Sequence, residues 1–189
     1  SEYIVNDLFY ESSTIYQEMK SMNTKTFAKV AMIAAVYTVL TLALAPISYG
    51  NLQIRVSEAL TMLPLIYQPS IYGVTLGCFL SNLIGAMSGV NPTGYIDAVV
   101  GTAATFFAAY CTWKLRDKKV GKYPLFAILM PVIWNFFLVG AELGCLFMPE
   151  NFLLGTVING AWVALGEVIA VILGVILTNV LDKTKIFKD

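Results

Sequence analysis

Long apolar runs separated by short polar loops dominate the pattern of this chain. A run of about 20 apolar residues is typical of a membrane-spanning helix, which rises about 1.5 Å per residue across about 30 Å of hydrocarbon. The second run is short for a crossing, so we expect it to tilt, to break, or to lie partly in the outer interface. The pattern predicts six spans, at about 26–45, 54–67, 70–88, 95–114, 124–146 and 153–181.

Composition supports a membrane protein rather than a soluble domain. The 189 residues are 58% hydrophobic and 13% charged, and the mean hydropathy is +0.73. Such a chain would expose too much apolar surface in water. We therefore predict an all-α integral membrane protein, a six-transmembrane-helix bundle in the lipid bilayer, over residues 22–189. Residues 1–21 are polar and acidic and lack the pattern of a signal peptide, so we expect an extension, a tag remnant or a surface helix.

The basic residues predict the orientation of the bundle. Of the 12 Lys and Arg residues, all but Arg55 lie in the N-terminal region, in the loop at 114–122, or in the C-terminal tail. Six spans place these three clusters on one side of the membrane. The opposite loops, at about 46–53, 89–94 and 147–152, contain no Lys or Arg at all. The positive-inside rule then predicts that both termini are cytoplasmic.

Arg55 stands apart from the clusters, one helical turn before Glu58. Residues three apart share one side of a helix, and ionisable groups within a membrane are costly and commonly functional. We interpret Arg55 and Glu58 as ligand-binding groups at the start of the second span. The alternative is that they only neutralise each other at the interface.

Three more carboxyl groups, on Asp97, Glu142 and Glu167, fall at middle to outer depth in the predicted spans. Each would cost several kcal/mol if it were ionised and unpaired in hydrocarbon. The sequence offers no outer cation except Arg55, so these groups must be protonated, hydrated, or matched by a cationic or strongly donating ligand. The alternative for Asp97 and Glu142 is a position at the water interface.

Amide and aromatic side chains occur at similar depth. Trp134 and Asn135 together suit a flat heterocycle, and Asn82 and Asn159 add further hydrogen-bonding groups. Trp134 fits an interfacial aromatic belt equally well. The polar groups are concentrated toward the outside, which favours a pocket open to the extracellular face over a continuous channel.

Several classes of function lack support in the sequence. With no His and no Cys-x-x-Cys, a His-based metal site or zinc ribbon is excluded, and we expect no cofactor. Cys78, Cys111 and Cys145 are interpreted as packing residues. The absence of a Gly-x-x-x-x-Gly-Lys-Ser/Thr loop excludes ATP hydrolysis by that route, and no hydrolase motif is present. The basic clusters are short and lack a nucleic-acid-binding motif, so we expect no nucleic-acid partner.

One stretch carries a resemblance to a known family. Ala45-Pro-Ile-Ser-Tyr-Gly50, followed by Gln53-Ile-Arg-Val-Ser-Glu-Ala-Leu60, closely resembles the signature of the QueT-type queuosine precursor transporter family. Its members are S components of energy-coupling factor (ECF) transporters. The resemblance extends through Gly77-Cys-Phe-Leu-Ser-Asn-Leu83 and Asp97-Ala-Val-Val-Gly-Thr-Ala103 and covers about residues 22–182.

The resemblance implies a six-helix S component that binds a 7-deazaguanine, such as 7-aminomethyl-7-deazaguanine or queuine, in its outer half. It also implies an ECF module as partner, made of a transmembrane T component and two cytoplasmic ATPases. The Ala31-x-x-x-Ala35 pattern on the first helix matches the family's docking surface. On this view Glu58 or Glu167 binds the guanidine-like edge, Glu142 or Asp97 binds the amine, Arg55 donates to the ring carbonyl, and Trp134 stacks on the ring.

Three other functions stay open at this point. An S component could take a different, vitamin-like ligand. A stand-alone proton-coupled carrier could use Glu142 or Glu167 as its proton site. An intramembrane enzyme has the least support, because the sequence offers no credible nucleophile–base pair.

Overall fold

The computed structural model describes residues 23–49 and 54–187, and this part of the chain is helical. Five helical segments in it are long and apolar enough to cross a membrane. The α-helices are α1 (Thr24–Ala43), the short α2 (Ala45–Ser48), α3 (Ser70–Met87), α4 (Tyr95–Leu115), α5 (Leu125–Phe147) and α6 (Phe152–Thr184), with a 3₁₀ helix at Val56–Leu65 and a 3₁₀ turn at Pro149–Asn151.

The prediction of an all-α membrane bundle is confirmed at this level. Five of the six predicted spans correspond to long helices, while the second corresponds to the 3₁₀ helix Val56–Leu65. The count of six crossings and the cytoplasmic position of both termini stay predictions. The predicted extension at 1–21 lies outside the described residues.

The 3₁₀ helix Val56–Leu65 is the central element of the bundle. Its residues from Ser57 to Pro64 are all buried, and it contacts all five long helices. A 3₁₀ helix rises about 2.0 Å per residue against about 1.5 Å for an α-helix, so ten residues reach about 20 Å rather than about 15 Å. The greater rise per residue lets this segment, which is too short to span a membrane as an α-helix, extend further through the bundle. Runs of this length are uncommon, and here the surrounding helices enclose it.

The long helices are arranged in chain order around this element. α1 packs on α3, α3 on α4, α4 on α5, and α5 on α6. Glycines permit close approach at two of these contacts. A Cβ at Gly77 would lie 2.6 Å from Cβ of Tyr37 on α1, and one at Gly140 would lie 2.8 Å from Cα of Gly160 on α6. Both glycines therefore allow the neighbouring helices to pack closely.

The basic segments of the N-terminal region, the 114–122 loop and the C-terminal tail lie at one end of the bundle. Nζ of Lys29, near the start of α1, lies 5.4 Å from the ring centroid of Tyr67. The Tyr67 ring in turn lies 4.9 Å from that of Phe187, after α6. The loop between α4 and α5 lies at the same end, because Arg116 and Leu65 line one cavity. We call this the basic end, and the other the carboxylate end.

A proline within α5 removes a backbone hydrogen bond that a side chain of α4 replaces. Pro131 lacks an N–H group and so leaves the carbonyl of Ala127, four residues earlier, without its helical donor. Oγ1 of Thr112 on α4 donates to that carbonyl at 3.0 Å. Both Thr112 and Ala127 are buried. A side chain of the neighbouring helix therefore replaces a backbone hydrogen bond, as a membrane interior requires.

We expect Thr112→Val to lower stability by about 1–3 kcal/mol, because it leaves the Ala127 carbonyl buried and unsatisfied. The same change in a Pro131→Ala background should cost much less, because an alanine in place of the proline restores the N–H donor. Reversible unfolding of the purified protein in mixed micelles measures the four-variant cycle. Equal costs in both backgrounds would show that Thr112 does not compensate for the proline.

Candidate functional site

A buried ion pair lies at the carboxylate end. Nη2 of Arg55 donates to Oδ2 of Asp97 on α4, and both side chains are buried. Arg55 lies just before the 3₁₀ helix, in an extended conformation. The sequence left open a pairing between Arg55 and Glu58, but the partner of the guanidinium is Asp97. The Asp97 side chain is enclosed by protein, and its depth in the membrane stays a prediction.

The loop between α3 and α4 supports this ion pair. Nδ2 of Asn91 donates to Oδ2 of Asp97 at 3.0 Å. Oδ1 of Asn91 accepts from the backbone N–H of Thr93 at 3.1 Å and from its hydroxyl at 2.7 Å, an Asx turn that fixes the amide. Asn82 on α3 adds a bond from its Nδ2 to the carbonyl of Asp97 at 2.9 Å. Asp97 is therefore held from three elements.

Tyr49, after α2, covers the arginine. The guanidinium carbon of Arg55 lies 5.4 Å from the ring centroid of Tyr49, within the range of a cation–π interaction. The Tyr49 hydroxyl donates to the carbonyl of Ser81 at 2.9 Å. Burial raises the pKa of Tyr49 to about 12, so the hydroxyl stays protonated as a donor at neutral pH. The ring and the hydroxyl of Tyr49 thus link the end of α2 to Arg55 and to α3.

Glu58 lies in the first turn of the 3₁₀ helix, one turn after Arg55, and is buried in the bundle. Its Oε1 accepts a bond from the hydroxyl of Tyr37 on α1 and one from Oγ1 of Thr105 on α4 at 3.0 Å. Oε2 of Glu58 is buried and has no hydrogen-bond partner among the described residues. Two helices thus hold one oxygen of this carboxyl group while the other is left available.

Glu142 on α5 and Glu167 on α6 complete the set. Asp97 and Arg55 act electrostatically on Glu142, and Glu58 and Arg55 act on Glu167. Both glutamates are buried. The bundle therefore brings four carboxyl groups, from four elements of the chain, within electrostatic range of a single guanidinium.

Several polar atoms of this cluster make no hydrogen bond within the described part of the chain. They are Nε of Arg55, Oε2 of Glu58, Oδ1 of Asp97, both carboxyl oxygens of Glu142, and Oε1 of Glu167. A buried polar group without a partner costs about 1–3 kcal/mol, so such a concentration calls for hydrogen-bonding groups from outside the protein. Most of these atoms are hydrogen-bond acceptors, so the cluster is suited to binding a ligand with several N–H groups.

The other predicted residues are less closely tied to the cluster. Nδ2 of Asn135 donates to the carbonyl of Pro131 at 3.0 Å, and Nδ2 of Asn159 donates to that of Gly155 at 2.7 Å. Both bonds lie within the residue's own helix. The Trp134 ring is stacked on Phe107 of α4 at 4.9 Å. Roles for these three residues in ligand binding stay predictions.

Sequence reasoning missed four groups that hold the carboxylates, namely Tyr37, Asn91, Thr93 and Thr105. Thr105 follows Asp97 by eight residues, a spacing that places both on one face of an α-helix. Asn91-Pro-Thr93 carries the signal of an Asx turn. Tyr37 offered a weaker signal: it follows Ile33 and Ala34 at four- and three-residue spacing, on the buried face of α1, a pattern equally typical of a packing residue. The three cysteines are free, as interpreted from the sequence.

We expect Asp97→Asn to lower stability by about 3 kcal/mol or more, because it leaves the Arg55 guanidinium buried without a counter-charge. Asp117→Asn is the matched control: Asp117 lies 3.7 Å from Arg116 in an exposed pair, where about 0–1 kcal/mol is expected. Unfolding in mixed micelles measures both variants. Similar decreases in the free energy of unfolding for the two variants would show that the buried Arg55–Asp97 pair contributes no more to stability than the exposed pair.

Similarity to known proteins covers most of the chain. The family model for the QueT transporter matches residues 27–183. A curated relative, the queuosine precursor transporter QueT of Lactococcus lactis subsp. cremoris (strain MG1363), is 35% identical over 89 residues, which are 46% of this chain and 48% of the relative. That match thus spans about half the length of the relative. No solved structure matches the chain.

The family match includes α3, α4, α5, the 3₁₀ helix, nearly all of α1 and all but the last residue of α6, and with them every residue of the carboxylate cluster. Together with the apolar helices, it fits a multi-pass protein of the cell membrane. The resemblance inferred from the sequence is confirmed: this chain belongs to the QueT transporter family.

Proposed function

We propose that this protein is the substrate-binding S component of an ECF importer and takes up a queuosine precursor, a 7-deazaguanine with a cationic 7-substituent. The observation that carries the proposal is the excess of buried acceptors around Arg55. Family membership and the name of the Lactococcus relative support the class of substrate.

Charge favours a cationic ligand. Arg55 supplies one positive charge, while Glu58, Asp97, Glu142 and Glu167 can supply four negative charges. Full ionisation of the cluster in a low-dielectric interior is very unfavourable without added cations. A protonated aminomethyl group would neutralise one carboxylate and could donate up to three hydrogen bonds to acceptors of the cluster.

The hydrogen-bond inventory suggests a role for each carboxyl group. Asp97 is engaged by Arg55 and Asn91, so we assign it to positioning the arginine. Glu142, whose two oxygens make no hydrogen bond within the described residues although the Thr93 side chain lies beside them, is the proposed partner of the ammonium group. Glu58 and Glu167 each retain an unengaged oxygen and are proposed to accept from N1–H and the 2-amino group. Nε of Arg55 is the proposed donor to the ring carbonyl.

The proposal predicts a specific coupling between Glu142 and the ligand amine. Glu142→Gln should weaken binding of 7-aminomethyl-7-deazaguanine by about 10- to 100-fold, the loss of one charge-assisted hydrogen bond. The same ring with a neutral 7-methyl group should bind wild type and variant alike. Calorimetric titration of the detergent-purified chain measures the four affinities.

Glu150→Gln is the control for this experiment, because Glu150 is exposed in the turn before α6. Guanine and riboflavin are the control ligands. Equal losses for the aminomethyl and methyl compounds would remove Glu142 from the amine site. Tight binding of riboflavin with no binding of any deazaguanine would overturn the substrate class.

Uptake by this route requires partner proteins, because the sequence contains no phosphate loop for ATP. We propose that α1 provides the docking surface for the T component of the ECF module. Ala31 and Ala35 are exposed on α1, while Ile33, Ala34 and Tyr37 of the same helix face the core. Small exposed side chains allow another membrane helix to approach closely.

Ala31→Trp should leave ligand affinity unchanged and abolish uptake, because the indole ring holds a partner helix away. Val36→Trp is the control: Val36 is also exposed on α1, about 140° away around the helix axis. Uptake of labelled ligand by cells that co-express the ECF module measures both. Normal uptake by the Ala31 variant would show that docking occurs elsewhere.

A stand-alone proton-coupled carrier is a second candidate, favoured by the buried and unpartnered oxygens of Glu142 and Glu167. A carboxyl group of this kind can bind and release a proton during transport. Uptake without the ECF module, abolished by a protonophore and by Glu167→Gln, would support the carrier. Uptake that depends on the ATPases would exclude it.

A further inference from the structure

A second polar region lies at the basic end, far along the bundle from the carboxylate cluster. A cavity of about 320 Å³ opens there between the α4–α5 loop, the end of the 3₁₀ helix Val56–Leu65, and the last turns of α6. Such a volume is at the lower end of the range for small-ligand sites. We call it the basic-end cavity. Its charged lining residues are Arg116, Asp117, Lys119 and Lys122.

Charge at the cavity favours an anion. Three cations and one carboxylate leave a formal excess of positive charge at neutral pH. Arg116 is directed toward the protein, since its Nη1 donates to the carbonyl of Trp113 at 2.8 Å and its guanidinium carbon lies 5.1 Å from the Trp113 ring centroid. Lys119 and Lys122 are exposed, and their flexible ammonium groups can reach a ligand at the cavity mouth.

The backbone strengthens this positive potential. Pro124 and Ile128 line the cavity, so it adjoins the first turn of α5. That helix begins without a side-chain cap and without an acidic residue in its first turn, which leaves the positive end of its dipole uncompensated. Gly121, with a φ of +65°, occupies the tight turn that carries Lys122. A positive φ of this kind is readily adopted by glycine.

Apart from the charged residues, the lining combines polar Thr178 and Asn179 of α6 with an apolar wall that leads toward the surface of the bundle. Leu65, Ile66, Ile128 and Val175 form that wall. Next to Ile128 and Val175 in sequence, Leu129 and Ile176 are exposed on α5 and α6, on the surface that faces lipid in a membrane-spanning bundle. A soluble anion uses the charges but gains nothing from this apolar surface. An anionic amphiphile gains from both.

We infer that the basic-end cavity binds the headgroup of an anionic phospholipid from the adjacent leaflet, with the acyl chains lying along α5 and α6. Lys119 and Lys122 contact the phosphodiester, and the α5 N-terminus contributes its dipole. Basic pockets between transmembrane helices are a known mode of lipid headgroup recognition. The inference does not depend on the transported molecule or on the ECF partnership.

The test uses the full chain in detergent, titrated with dioleoylphosphatidylglycerol or dioleoylphosphatidylcholine and followed by native mass spectrometry. The wild type should retain phosphatidylglycerol about 25-fold more strongly than phosphatidylcholine. Lys119→Gln/Lys122→Gln should lose that preference, by about fivefold for each lysine. The matched control, Lys183→Gln/Lys185→Gln, removes the same charge near the same end from residues that do not line the cavity, and should keep the preference.

Three results would overturn the inference. Equal retention of the two lipids by the wild type would remove headgroup recognition. Equal losses in the two double variants would show a diffuse charge effect instead of a site. Binding of sn-glycerol 3-phosphate or of a poly-glutamate peptide as tight as that of phosphatidylglycerol would assign the cavity to a soluble anion or to an acidic protein segment.

Discussion

The buried ion pair between Arg55 and Asp97 is the interaction on which the carboxylate end depends. It joins the start of the 3₁₀ helix to α4, and it places the guanidinium within electrostatic range of Glu58, Glu142 and Glu167. Burying such a pair is costly unless further hydrogen bonds satisfy it. Asn91 bonds the aspartate side chain and Asn82 bonds its backbone carbonyl, so the loop and α3 share in holding it. The arginine thus organises the site as much as it serves any ligand.

The two ends of the bundle have opposite chemistry. One presents an excess of buried acceptors, which suits a ligand rich in N–H groups. The other presents exposed cations beside an apolar wall, which suits an anion with a hydrophobic tail. The 3₁₀ helix Val56–Leu65 connects them, with Glu58 in its first turn and Leu65 at the basic-end cavity. The separation follows from the chain order, because loops at alternate ends carry different residue types.

Much of this could be read from the sequence, and the failures have identifiable causes. Apolar runs located the five long helices, since span length is fixed by membrane thickness. The tight winding of the second segment was not predictable, because 3₁₀ and α-helices share similar local preferences and only the enclosing helices select one. Arg55 was recognised as exceptional, but its partner lay 42 residues away, beyond the reach of local spacing. Tyr37 and Thr105 were missed because their hydroxyl groups look ordinary until the fold brings them to Glu58.

The 3₁₀ geometry of the central segment also restricts how its length can vary. With three residues per turn, side chains align in straight rows at every third position. Inserting or deleting one residue would rotate all that follows by about 120°, turning buried residues such as Leu60 and Leu63 away from the neighbours they now pack against. An α-helix at the surface of a bundle can absorb such a change at a loop. This segment, in contact with all five long helices, has no free face to rotate into, so its residue count is as constrained as its composition.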